Sequence, residues 1–289
     1  MEGSAICPSM ALTTSGAMAK RSPAIALTIA GSDSSGGAGL QADLRTFARA
    51  GVYGLSVVTA VTAQNTSGVK EVFPLPPDQV GSQLEAILTD MTPAATKIGM
   101  LAAPQIVAEV VLRASARQLG RLIVDPVLGS TSGQSLAEPG LEHELVRKLL
   151  PLCDLVTPNV EEAMRLTGVK INNAEDAKEA ALAFTEMNVR AICITGGHLP
   201  GDPIDILFDG KDFTDFPGKR RGDYRTAFHG SGCVFSAGVA GYLALGMELA
   251  PAVAGAKRLA ELAIDGAVRP GKGMAVAWGV MNHPPETTA

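Results

Sequence analysis

A chain of 289 residues with 46% apolar content can bury one large core, and α/β chains of this size often form a single domain. A net charge of −5 argues against nucleic acid as the main partner. The nearly uncharged stretch Cys233 to Met247 is fifteen residues long and broken by glycines, so it falls short of a membrane span, which needs about 20 apolar residues.

Residues 1–22 mix Ser, Thr, Ala, Gly and Met without period and read as a disordered leader, with a single domain over 23–289. Ala24 to Ala30 is a continuous apolar run typical of a strand buried on both faces. It leads into Gly31-Ser32-Asp33-Ser34-Ser35-Gly36-Gly37-Ala38-Gly39 and a helix from Leu40 to Ala50. The P-loop motif fails in this segment, and Gly37-x-Gly39-x-x-Ala42 matches the loose dinucleotide-binding pattern only weakly. Gly37-Ala38 stands where a P-loop needs Lys-Ser/Thr, and no acid stands at the usual ribose-binding position of a dinucleotide fold.

Further strands are expected at 55–61, 96–101, 122–126, 152–157 and 191–195. Helices are expected from Asp78, as cap, to about Met91; from Pro104 to Leu119; near Leu141 to Leu150; after Asn159 to Thr167; and to Met187, the last capped by Asn172 with Glu175. Asp209-Gly210 predicts a hairpin turn within 205–216. Such repeats of strand and helix argue for an α/β protein with a central, mostly parallel sheet covered on both faces. Ligands of open α/β sheets bind at the carboxyl ends of the strands, and here those ends carry Ser32-Asp33, Gln64-Asn65, Met100, Asp125, Asn159 and Thr195-Gly196-Gly197.

His229-Gly230-Ser231-Gly232-Cys233 then opens a small-residue, apolar run to Leu245. Glycines at a helix start let backbone N–H groups approach a phosphate, Ser231 can cap, and the helix dipole adds about half a positive charge. A helix start that merely packs tightly, with Gly238 and Gly241 allowing close helix contact, accounts for these five residues equally well. The four cysteines, Cys7, Cys153, Cys193 and Cys233, lie far apart with no zinc spacing, which is the thiol usage of a reducing compartment. Cys153 and Cys193 read as core residues, whereas Cys233, at a helix N-terminus, is expected to have a lowered pKa.

Ala26 to Asp43, Thr62-Ala63-Gln64-Asn65-Thr66, Lys97-Ile98-Gly99-Met100-Leu101, Thr157-Pro158-Asn159-x-x-Glu162-Ala163 and His229 to Cys233 together resemble the hydroxymethylpyrimidine/phosphomethylpyrimidine kinases of thiamine biosynthesis, over about residues 24–280. The resemblance implies a ribokinase-like three-layer α/β/α fold and magnesium-dependent transfer of phosphoryl groups from ATP to a pyrimidine hydroxymethyl group and then to its monophosphate. By position it implies Gln64 as pyrimidine reader, with Gly31, Asp43, Met100 and Val127 around it. A Gln amide suits the task, since it offers one donor and one acceptor side by side. It further implies Asn159, Thr195, Gly197 and Gly232 at ATP, Asp125 and Glu162 at magnesium, and Gly230, Ser231, Gly232 and Cys233 as the catalytic anion hole. The competing account of Asn159 and Glu162 is a helix cap.

Ser231 replaces the family's commoner threonine, and Thr195 and Thr131 stand where many members carry lysine. In the broader superfamily an aspartate occupies the position of Cys233. A pyridoxal kinase of the same fold and a catalytically silent pyrimidine sensor are the alternatives. Homodimerisation and a cytoplasmic location are expected by analogy, with neither nucleic acid nor membrane as partner.

Overall fold

The computed structural model describes residues 22–129, 136–221 and 228–279; residues 1–21 of the expected leader, and Thr131, lie outside them. One sheet of nine strands has the order β3-β2-β1-β4-β5-β6-β7-β8-β9. The strands are β1 (Ile25–Asp33), β2 (Tyr53–Asn65), β3 (Gly68–Pro74), β4 (Ala95–Ile98), β5 (Arg121–Val124), β6 (Leu155–Val156), β7 (Ile192–Ile194), β8 (Ile204–Phe208) and β9 (Phe213–Pro217). From β2 through β7 the neighbours run parallel, while β3, β8 and β9 pair antiparallel. The expected Asp209-Gly210 turn joins β8 to β9, with Gly210 at φ 98°.

Eight α-helices accompany the strands: α1 (Gly39–Arg49), α2 (Pro77–Leu88), α3 (Pro104–Ser115), α4 (Leu141–Glu144), α5 (Val160–Thr167), α6 (Ala174–Thr185), α7 (Ser231–Ala244) and α8 (Leu249–Asp265). Because side chains alternate along a strand, each short apolar strand serves two cores. Leu27, Ile29, Ile98, Val124, Val156 and Ile194 pack on one face with Leu84, Ile106, Ala177 and Phe184. Ala26, Ala95, Ile123, Leu155 and Cys193 pack on the other with Phe47, Val239, Val253 and Ala256. The result is the expected α/β/α sandwich.

Several local expectations shift. β3, absent from the strands expected above, folds back on β2 as an antiparallel partner. The cap of α6 is Asn173, whose side chain accepts from the Asp176 N–H at 3.0 Å, and not Asn172. Asp78 lies in the first turn of α2 behind Pro76, without a side-chain cap bond. The helix expected to Leu150 is α-helical only to Glu144 and then loosens into a π turn over Leu145–Leu149 and a 3₁₀ turn over Leu150–Leu152. Pro151 supplies no N–H to continue it.

Candidate active site

The polar ends of the parallel strands do converge. They border a cavity of about 980 Å³ lined by Ser32, Asp33, Gln64, Met100, Asp125, Asn159 and Thr195, together with Gly31, Val127, Glu162, Gly197 and the turn His229 to Cys233. Its apolar wall belongs to a small cluster of Ala60, Met100 and Ala102 with Val72, Val127 and Leu136. Asp43 is the exception among the expected site residues. It is fully buried, accepts from Thr28 Oγ1 at 2.6 Å and from Lys97 Nζ at 3.1 Å, and forms no part of the cavity wall.

The glycine-rich loop after β1 is organised by Asp33. Its carboxylate accepts from the Ser35 N–H at 2.8 Å, the Ser35 hydroxyl at 2.8 Å, the Gly37 N–H at 3.1 Å and the Ala38 N–H at 2.9 Å. His229 Nε2 approaches the same carboxylate at 2.8 Å. Burial opposes ionisation of Asp33, but the His229, Ser35 and Ala38 hydrogen bonds outweigh it and hold the pKa at about 2. The loop and the anion-hole turn are thus joined through one buried side-chain pair.

α7 begins behind Gly230, which sits at φ 84° with Gly37 O only 2.0 Å from where a Cβ would stand. Ser231 does not cap: it is the first helical residue, makes no side-chain cap bond, and its N–H is engaged by the Phe228 carbonyl at 3.2 Å. Among the described residues, the Gly232 and Cys233 N–H groups have no acceptor, and a Cβ on Gly232 would meet nothing within 4 Å. Two donors at a helix N-terminus therefore face the cavity, the arrangement an anion needs. The packing account also holds, because Gly238 lies against Ala256 on α8 and Gly241 against Ala50.

Burial pushes the Cys233 thiol up to about 12, since Asp43 and Asp125 oppose ionisation and Lys97 only partly compensates. The lowered value expected at a helix N-terminus is overturned by burial of the sulfur and the acids around it. Asn159 and Glu162 form a complete capping box: Glu162 N–H donates to Asn159 Oδ1 at 2.9 Å, and Asn159 N–H donates to Glu162 Oε2 at 2.9 Å. Both side chains still line the cavity. Burial, aided by the Asp125 charge, raises Glu162 to about 8.

Asp125 Oδ2 is buried without a hydrogen-bond partner, 3.5 Å from Lys97 Nζ. A buried carboxylate oxygen left open, beside a second carboxylate, fits a divalent cation. Among the described residues no cluster of three or more His, Cys, Asp or Glu is placed to hold a metal alone.

Lys257 escaped sequence reasoning. Buried on α8, it donates to Asp205 Oδ2 at 2.8 Å, while Asp205 Oδ1 accepts from the Gly196 N–H at 2.9 Å, and both residues line the cavity beside Thr195 and Gly197. A lysine in an apolar helix reads as a solvated charge until the fold places it.

A phosphomethylpyrimidine kinase family model matches residues 33–278. The chain is 44% identical over 253 residues to the hydroxymethylpyrimidine/phosphomethylpyrimidine kinase of Rhizobium meliloti, covering 85% of this chain and 92% of that protein. It spans about half, 51%, of the bifunctional thiamine biosynthesis protein of Geobacter sulfurreducens, to which it is 42% identical over 89% of its own length. Among solved structures, the phosphomethylpyrimidine kinase of Clostridium difficile matches with a TM-score of 0.73 and 41% identity over 83% of this chain and 99% of that one. The pyridoxal kinase of Staphylococcus aureus, solved with AMP-PCP and pyridoxal, matches with a TM-score of 0.81 and 34% identity over 90% of this chain and 94% of that one. The fold is ribokinase-like, and the chain belongs to the phosphomethylpyrimidine kinase family.

Proposed function

We propose that this protein phosphorylates 4-amino-5-hydroxymethyl-2-methylpyrimidine with ATP, and then phosphorylates the monophosphate to the diphosphate, in thiamine biosynthesis. The observation that carries the reading is the shared cavity. Gln64, Gly31, Met100 and Val127 line it together with Asn159, Thr195, Gly197 and the unpaired amides of Gly232 and Cys233. Gln64 pairs with the aminopyrimidine edge, and the apolar wall takes the rest of the ring. The two amides donate to the transferring phosphoryl group, and Asn159, Thr195 and Gly197 hold the nucleotide, with Lys257 as the cation on that side. Asp125 and Glu162 would hold magnesium, which when bound supplies positive charge to the phosphates.

Cys233 remains a neutral thiol during this chemistry and contributes its backbone N–H rather than a base. Phosphoryl transfer depends mainly on positioning and charge stabilisation, so strong base help is not needed. Asp43 supports the site from beneath through Lys97.

Val61 and Phe73 are direct partners across β2 and β3 and stand 46% and 53% exposed. A second copy of the chain covering this apolar pair makes the working unit a homodimer, which sedimentation analysis tests. Cys153, Cys193 and Cys233 are free thiols, and among the described residues no helix is long and apolar enough to cross a membrane. The free thiols suit the cytoplasmic location expected from the cysteine usage.

One assay with the hydroxymethyl pyrimidine, its monophosphate and pyridoxal tests the reading. ATP-dependent turnover of the two pyrimidines supports it. The likeness to a pyridoxal kinase supports a second reading, in which pyridoxal is the substrate. Turnover of pyridoxal alone would establish that reading, and pyrimidine binding without ATP consumption would establish a sensor.

A further inference from the structure

The imidazole of His229 stands where three elements meet: the end of β1 at Asp33, β2 at Gln64, and the turn into α7. Its Nε2 lies 2.8 Å from Asp33 Oδ2 and 3.1 Å from the terminal amide atom of Gln64 placed as Nε2. Asp33, with its pKa held at about 2, can only accept. Nε2 therefore carries a proton, and its single N–H faces both Asp33 Oδ2 and the Gln64 amide. An amide N–H there would meet that N–H head on, so the amide oxygen occupies the place and shares the one proton with Asp33.

The far end of the amide accommodates this orientation. It lies 3.1 Å from Thr62 Oγ1, which also lies 3.1 Å from the Ser32 carbonyl. The hydroxyl has one proton, and the carbonyl can only accept it. Thr62 Oγ1 is then free to accept, and its partner is the amide nitrogen. The two ends of a Gln side chain are alike in size, and its hydrogen-bond partners decide which is which.

We propose that His229 is a positioning residue for pyrimidine recognition: its Nε2–H fixes which way round the Gln64 amide stands, and so which pyrimidine edge the site accepts. This rests on Gln64 being the pyrimidine reader. With one lone pair given to His229 and one N–H to Thr62, the amide keeps one N–H and one lone pair for a ligand. An aminopyrimidine meets these with its ring nitrogen and its amino group. A 4-oxo analogue, with N–H and carbonyl exchanged, needs the amide reversed, which would set two donors against each other at His229.

The test compares the 4-amino substrate with its 4-oxo analogue on the wild type, His229→Phe, His229→Gln and Gln64→Ala. The wild type should prefer the amino compound by at least about tenfold in kcat/KM. His229→Phe should lose most of that preference through KM for the pyrimidine, with KM for ATP little changed. His229→Gln, which restores an N–H donor, should regain it. A folded His229→Phe that keeps the full preference overturns the proposal. Gln64→Ala with an unchanged pyrimidine KM sinks the reading of Gln64 itself. Should His229→Phe not fold, long-range ¹H–¹⁵N correlation of the wild-type ring decides: a proton on Nε2 is required, and a neutral ring protonated at Nδ1 alone refutes the orientation.

Discussion

Lys97 Nζ lies 3.1 Å from both carboxylate oxygens of Asp43, and neither side chain reaches solvent. Burial opposes the lysine's charge, but Asp43 and then Asp125 outweigh it and push its pKa up, so the cation is locked in. Removing one partner of a buried pair leaves an uncompensated charge, which costs about 3–5 kcal/mol. Lys97→Met should lower stability to that extent in denaturant titration. Adding Asp43→Leu should recover a large part, since a pair replaced by packed apolar groups is often neutral. A double variant no more stable than Lys97→Met would show that the pair acts through something other than charge.

Gly232 and Gly230 should answer differently to a side chain. Gly232→Val puts a branched side chain into open space, so the protein should melt as the wild type does, while the side chain keeps the phosphate from the two amides and turnover falls by about 100- to 1000-fold, as when an oxyanion donor is lost. Gly230→Ala should fail to fold stably, because its φ of 84° and the Gly37 carbonyl 2.0 Å away exclude a methyl group. Cys233→Ala keeps its N–H and should cost less turnover than Gly232→Val. Single-turnover rates on folded variants settle the order, and a dead Cys233→Ala beside an active Gly232→Val would move the chemistry to the thiol.

Without magnesium, stability should fall as pH rises. Glu162 is raised from its ordinary 4.5 to about 8, first by burial and then by Asp125. Across that window the unfolded chain gives up the proton while the folded protein keeps it, so folding loses ground until the folded group also ionises. Glu162→Gln should flatten this part of the curve. Melting temperatures in chelator across the window test it, and added magnesium should stabilise the wild type most at the alkaline end.

Lys257→Met should raise KM for ATP by about tenfold or more, the scale of a charge-assisted hydrogen bond, with pyrimidine KM unchanged. Asp205→Asn should share the phenotype, because Asp205 holds both Lys257 and the Gly196 turn. An unchanged nucleotide KM in both variants would remove this pair from the phosphate side.

The β-α succession was legible because continuous apolar runs such as Ala24–Ala30 mark buried parallel strands. So was the converging edge, since strand-end residues in such a sheet share one side. β3 was not, because Val69 to Phe73 mixes exposed Lys70 and Glu71 with apolar neighbours and depends on pairing with β2 for its strand. Lys97 read as one more letter of a motif, and its role depends on Asp43, 54 residues earlier. The Cys233 thiol was misread because the helix end is local while the acids around it come from other elements.

The turn into α7 is backed by residues 275–278. His229 N–H donates to the Ala275 carbonyl at 2.9 Å, Ala277 N–H to the His229 carbonyl at 3.0 Å, and Trp278 N–H to the Ala263 carbonyl at 2.9 Å. All nine strands are complete by Pro217, some sixty residues before Ala277. During synthesis the sheet and α7 can emerge from the ribosome while the turn still lacks its backing. A nascent chain halted at Asp265 therefore carries the scaffold without a finished pocket, and enzymatic competence waits for residues 275–278.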